Sequence, residues 1–150
     1  MFGYSLFTFT HEKQKCANIL VDKNLNVKLC DLGLSKYKER KGGNQATVSA
    51  DFKGTKNYLS PKIILHKDTT SDTAVDIWAL GCLMCEIFTE SYAWNVEDFD
   101  GNIETALRDK ILPDQSLVPT GLQDAVKKCF EYAPSKRATV DDILDAIESL

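Results

Sequence analysis

Residues 11–33 read HEKQKCANILVDKNLNVKLCDLG, and the reading of this stretch decides the fold. Ile19–Asp22 and Val27–Cys30 are short runs that favour β-structure, separated by the turn-like Lys23–Asn26, so the spacing predicts a hairpin over 19–30. In its second strand Val27 and Leu29 fall on one face and Lys28 and Cys30 on the other, the alternation of a half-buried strand. Asn18 enters the hairpin and Asp31 leaves it, which brings an amide and a carboxylate to the same end of one rigid element. Two such oxygen donors suit a hard cation such as Mg²⁺, which takes a few protein oxygens and completes its shell with phosphate and water. The same residue types also cap turns, and the residues alone leave both readings open.

Composition narrows the classes around this element. The chain has 150 residues, enough for one domain with a real core, and 43% hydrophobic with 27% charged residues is ordinary for a globular protein. A net charge of −4 lacks the basic face that nucleic-acid binding requires, so no nucleic acid is expected. Five cysteines are an odd number and lie mostly in apolar segments, which reads as reduced thiols in a cytoplasmic protein. Cys82 and Cys85 form a CxxC without a second pair or a histidine cluster, and are expected to pack as small hydrophobes. Met1–Thr10 is apolar but has no basic start and no small-residue cleavage site, so a signal peptide is not expected. No run reaches membrane-span length, and no membrane association is expected.

Asp72–Glu90, DTAVDIWALGCLMCEIFTE, is the most apolar segment: twelve of the fifteen residues from Ala74 to Phe88 are hydrophobic, on every side of a helix. Such a helix belongs in the middle of a core. Further on, Ile103, Ala106, Leu107 and Ile111 form one stripe over 103–112. Thr120 with Gln123 reads as a capping box ahead of Leu122, Ala125, Val126, Cys129 and Phe130. Thr139 caps a last helix whose expected buried face is Val140, Ile143, Leu144 and Ile147. Tyr92–Gly101 reads as a solvated loop with acids at Glu97, Asp98 and Asp100, and His66 as a surface residue.

The ordered set of His11, Lys15 and Asn18, then Asp31 and Gly33 thirteen residues beyond Asn18, resembles the catalytic loop and metal-binding turn of eukaryotic protein kinases. Gly54, Thr55, Tyr58 and Pro61 resemble the family's GTxxYxAPE segment, in the Ser/Thr style. Asp76, Trp78, Leu80 and Gly81 resemble its central helix, and Arg137 its final arginine. The resemblance covers essentially the whole of residues 1–150 but only the larger, C-terminal lobe. It implies a mainly α fold, a kinase-like C-terminal lobe with a helical core around a central buried helix at 72–90 and a small hairpin at 19–30. No Gly-rich phosphate loop is found among the 150 residues.

The family's activity is ATP-dependent phosphoryl transfer to protein hydroxyls, so the resemblance implies ATP and Mg²⁺ as cofactors and a protein substrate or protein partner. It puts Asn18 and Asp31 on the metal, Lys15 on the transferred phosphate and Thr55 on the catalytic aspartate. Lys15 is equally readable as a loop cation, and His11 as a packing residue. Leu34–Lys56 reads as a solvated loop with a charged run at Lys36–Lys41, or as an activation segment with Thr47 or Ser49 as a phosphosite.

Four positions depart from the family pattern. Lys13 stands in place of the catalytic Asp, Glu12 in place of Arg, Leu32 in place of Phe, and Lys62 in place of the Glu that pairs with the final arginine. A lysine cannot serve as the proton acceptor: with an ordinary pKa near ~10.4, roughly one molecule in two thousand is neutral at pH 7, and neighbouring phosphate lowers that further. A positioned base contributes roughly 10²–10⁴ in rate, so catalysis is expected to be impaired. Three readings follow: a degenerate Ser/Thr-type kinase domain, a pseudokinase module that binds a protein, or a piece of a longer gene product. With Lys62 opposite Arg137, Lys62 is expected to turn to solvent and Arg137 to find another acceptor. The core around Trp78 is expected to be partly uncovered.

Overall fold

The computed structural model describes residues 7–10, 15–31, 36–39, 56–66 and 72–150. Among them run four strands and five α-helices: β1 (Phe7–Thr10), β2 (Ile19–Val21), β3 (Val27–Leu29), β4 (Lys36–Glu39), α1 (Pro61–His66), α2 (Thr73–Thr89), α3 (Ile103–Arg108), α4 (Thr120–Cys129) and α5 (Val140–Glu148). The fold is mainly helical, as the sequence led us to expect.

Helix α2 is the axis. Asp72 caps it by accepting from the Val75 amide at 3.2 Å, and Glu90 ends it in the left-handed region at φ 56°. Trp78 is 0% exposed, which overturns the expectation of an uncovered core. Its ring stacks on Trp94 at 5.8 Å and meets the edges of Phe130 and Tyr132 at 5.3 and 5.7 Å. Trp94, in the stretch read as a solvated loop, is buried and donates its indole N–H to the Ile111 carbonyl at 3.0 Å. The three acids of that stretch are exposed as expected. Helix α4 packs on α2 through Leu122, Ala125, Val126, Cys129 and Phe130, all buried as their spacing predicts. The approach is close at Gly81, where an added Cβ would lie 2.7 Å from that of Cys129. All five cysteines are free, and Cys82, Cys85 and Cys129 are core residues.

Several local expectations are corrected. Thr120 does not cap α4: Pro119 precedes the helix, and Gln123 instead donates to the Val118 carbonyl at 2.9 Å. α3 stops at Arg108, with Lys110 at φ 54°, and Ile111 is exposed. Thr139 does cap α5 through a box with Asp142, yet only Ile143 of the four expected core residues is buried. Lys36–Glu39, read as part of a solvated run, pairs as β4 antiparallel to β1, with Phe9 opposite Tyr37. The hairpin β2–β3 forms where expected, one residue shorter at each strand, with Ile19 opposite Leu29 and Val21 opposite Val27. It is not half-buried, since Val21, Val27 and Leu29 are all exposed.

Candidate functional site

The site is built by backbone hydrogen bonds before any side chain enters. The single 3₁₀ turn Cys16–Asn18 closes when the Asn18 amide donates to the Lys15 carbonyl at 2.9 Å. The chain then extends into β2, crosses the turn and returns along β3. The Cys30 amide donates to the Asn18 carbonyl at 2.9 Å, which clamps the end of β3 to the residue that starts β2. Asp31, next in line, takes φ 59°, the left-handed conformation that Asp tolerates better than most residues. The turn between the strands is fixed by Asp22, whose carboxylate accepts from the Asn24 and Asn26 amides at 2.8 and 3.0 Å and is held below its ordinary pKa by the Asn26 and Asn24 bonds. Asn18 is 7% exposed and Asp31 is exposed. The amide and carboxylate named from sequence therefore stand at the same end of the hairpin. Lys15 immediately precedes the turn, half-buried.

An amide oxygen and one carboxylate are hard donors. Among the described residues no group of three or more His, Cys, Asp or Glu is disposed to hold a metal ion. The donor set fits a cation that takes two protein ligands and completes its shell with phosphate and water, as Mg²⁺ does. Lys13, Thr55, His11, Glu12, Leu32 and Gly33, with Thr47 and Ser49, lie outside the described residues.

Behind the loop, Glu86 of α2 is a junction that the sequence reading passed over. The Tyr58 hydroxyl donates to Glu86 Oε2, and the Cys16 thiol feels the charge of the same carboxylate. Burial, with Glu86 as the second cause, pushes the Cys16 thiol up to about 11 and the Tyr58 hydroxyl well above its ordinary range. One carboxylate on the central helix thus holds the Lys56–Tyr58 turn and acts electrostatically on Cys16 of the Cys16–Asn18 turn. The available signal was a glutamate inside an otherwise apolar helix, a polar group that must find partners when buried.

The charge reversal at position 62 is resolved locally. Lys62 does not turn to solvent: its ammonium pairs with Asp72 at 2.9 Å, with the two side chains 18% and 34% exposed. Arg137, 6% exposed, does find other acceptors. Its Nε and Nη2 donate to the Glu131 carbonyl at 3.0 and 2.9 Å, its Nη1 donates to the Ala74 carbonyl, and its guanidinium lies 5.3 Å over the Trp78 ring. Burial lowers the Arg137 pKa, and Asp72 is the largest influence opposing it. Asp72 therefore faces both cations while capping α2.

Comparison with known proteins bears on the family of the chain. The family model described as protein kinase domain matches residues 6–146. The chain is 33% identical over 140 residues to mitogen-activated protein kinase kinase kinase 5 of Arabidopsis thaliana, covering 90% of this chain and 19% of that protein. It is 33% identical over 139 residues to mitogen-activated protein kinase kinase kinase YODA of the same plant, covering 90% and 15%. Against the serine/threonine-protein kinase Nek6 of Oryza sativa subsp. japonica it is 31% identical over 134 residues, covering 89% and 24%. The chain spans less than a quarter of the length of these three relatives.

Proposed function

The chain belongs to the protein kinase domain family, and on that premise we propose that it is a kinase-type C-terminal lobe that binds a protein while its own phosphoryl transfer is impaired. The observation that carries this is Lys13: the family's proton acceptor position holds a cation, in a chain that keeps Lys15, Asn18 and Asp31. An ammonium there cannot accept or orient a hydroxyl proton. Asn18 and Asp31 would hold Mg²⁺, and Mg²⁺ when bound neutralises phosphate charge. Lys15 would face the same phosphate. The family's use of ATP is the general case, and binding by this chain is taken to be weak. The family's protein substrates set the class of partner, a protein.

Two measurements test this. Purified chain mixed with radioactive ATP, Mg²⁺ and a generic Ser/Thr peptide is expected to transfer no phosphate. Transfer that disappears in Asp31→Ala would overturn the reading and restore a working Ser/Thr kinase. A thermal-shift titration with ATP and Mg²⁺ is expected to show no saturable stabilisation. Binding at 100 Kd would add about 2.7 kcal/mol to stability and be plainly visible.

A further inference from the structure

Resting on the reading of this lobe as a protein-binding module, we infer that the outer face of α5 docks a cationic, amphipathic helical segment of a partner protein. At 100° per residue, Val140, Leu144 and Ile147 fall within about 60° of one another on the helix. They are 54%, 48% and 46% exposed, while Ile143 on the neighbouring face is 4% exposed and packs into the core. The stripe is large aliphatic surface on an otherwise polar face, and the core leaves it uncovered.

Its flank supplies the second half. Asp141, Asp145 and Glu148 follow one another along the side of the stripe away from the core, and Val140–Glu148 contains no Lys, Arg or His. This acidity does not serve the helix itself. Asp141 and Asp145 are a like-charged i,i+4 pair, which destabilises a helix. Asp145 and Glu148 sit in its C-terminal half, where the macrodipole disfavours anions. Asp142 is separately accounted for, since it closes the cap with Thr139 and lies near Lys128, on the far side from the stripe. None of Asp141, Asp145 and Glu148 forms an ion pair among the described residues.

An aliphatic stripe beside an unneutralised acidic row complements a helix with apolar anchors at i, i+3, i+4 and i+7 and Lys or Arg alongside. A second copy of this chain is a poorer occupant, because no described helix presents exposed large apolar residues beside a lysine row. On α4, which carries Lys127 and Lys128, the apolar residues are buried. An anionic membrane would be repelled by the same acids.

The test uses the full chain and a fluorescent synthetic helix with leucines at those anchor spacings and lysines on both flanks, followed by anisotropy. The lysine peptide is expected to bind. Leu144→Gln with Ile147→Gln, and independently Asp141→Asn with Asp145→Asn, should each weaken it at least about tenfold with unchanged circular dichroism. Glu97→Gln with Asp98→Asn, elsewhere on the surface, should leave it unchanged. The inference fails if the peptide does not bind, if all variants bind alike, or if a glutamate-for-lysine peptide binds as well. It also fails if the α5 variants abolish self-association in sedimentation, or binding to phosphatidylserine vesicles, in place of peptide binding. Phosphate transfer is a separate readout, so the parent reading and this one can fail independently.

Discussion

Asp72→Asn removes the negative charge that faces Lys62 and Arg137 while keeping a side-chain oxygen to cap α2, and isolates what that charge contributes. At 2.9 Å two unit charges attract by on the order of 6 kcal/mol at an effective dielectric of 20. Desolvation and immobilisation offset most of it. Breaking a fully buried pair costs about 3–5 kcal/mol, and a surface pair contributes about 0–1. With Lys62 18% and Asp72 34% exposed, the pair lies between these limits, and the expected loss is about 1–2 kcal/mol. For a chain of this length that lowers the thermal midpoint by roughly 3–6 °C. Arg137 keeps its carbonyl bonds, so the loss should stop well short of unfolding. Urea unfolding of wild type, Asp72→Asn, Lys62→Met and the double variant gives the coupling directly, expected at about 0.5–1 kcal/mol. Asp72→Ala should cost about 1 kcal/mol more than Asp72→Asn, because it also loses the cap. Strict additivity in the cycle, or an Asp72→Asn effect below about 0.3 kcal/mol, would refute the idea that Asp72 replaces the carboxylate absent from position 62.

Other perturbations read other parts of the fold. Ser60 is buried with no hydrogen-bond partner for its hydroxyl among the described residues, so Ser60→Ala should raise stability by about 1 kcal/mol in urea melts. A loss of that size would mean the hydroxyl is satisfied. Gly81→Ala would force a Cβ to 2.7 Å from Cys129 Cβ and should cost about 1–3 kcal/mol by the same measurement; a neutral result would show that α2 and α4 can move apart freely. Burial first of all holds the Cys85 and Cys129 thiols up at about 12 and Cys16 at about 11. An unfolded thiol ionises near ~8.5, so the stabilisation is full below that pH and is lost as pH rises toward the folded values. Urea midpoints under reducing conditions should hold between pH 7 and 8 and fall by pH 10.5; a flat profile would contradict the burial of these thiols.

What was legible in the sequence was whatever local chemistry dictates. Trp78 and the apolar residues around it could only be a buried helix, and Thr139 could be named as the cap of α5 from its place ahead of that helix. The position of the hairpin followed from the turn-like Lys23–Asn26 between two short β-favouring runs. Asn18 and Asp31 could be placed together because one short hairpin joins them. Failures came where long-range packing decides. The β1–β4 pairing joins segments almost thirty residues apart, and a charged strand such as Lys36–Glu39 carries no apolar alternation to announce it. Trp94 looked like a loop residue because its burial depends on Trp78 and Phe130, which arrive from other helices. Periodicity correctly gave α5 an apolar stripe, but it cannot say whether the core reaches that far. Beside Arg137 alone, Lys62 faces a like charge and belongs in solvent; Asp72, ten residues along the chain, carries no local mark of its role as the partner.

The manner in which Arg137 is held has a consequence for how this chain tolerates change. A guanidinium gripped by a side-chain carboxylate is hostage to one codon. Here the acceptors are main-chain carbonyls of Glu131 and Ala74, which persist whatever side chains those positions carry. The anchor is thereby insulated from substitution on α1, and position 62 is free to reverse its sign without drawing Arg137 away from Trp78.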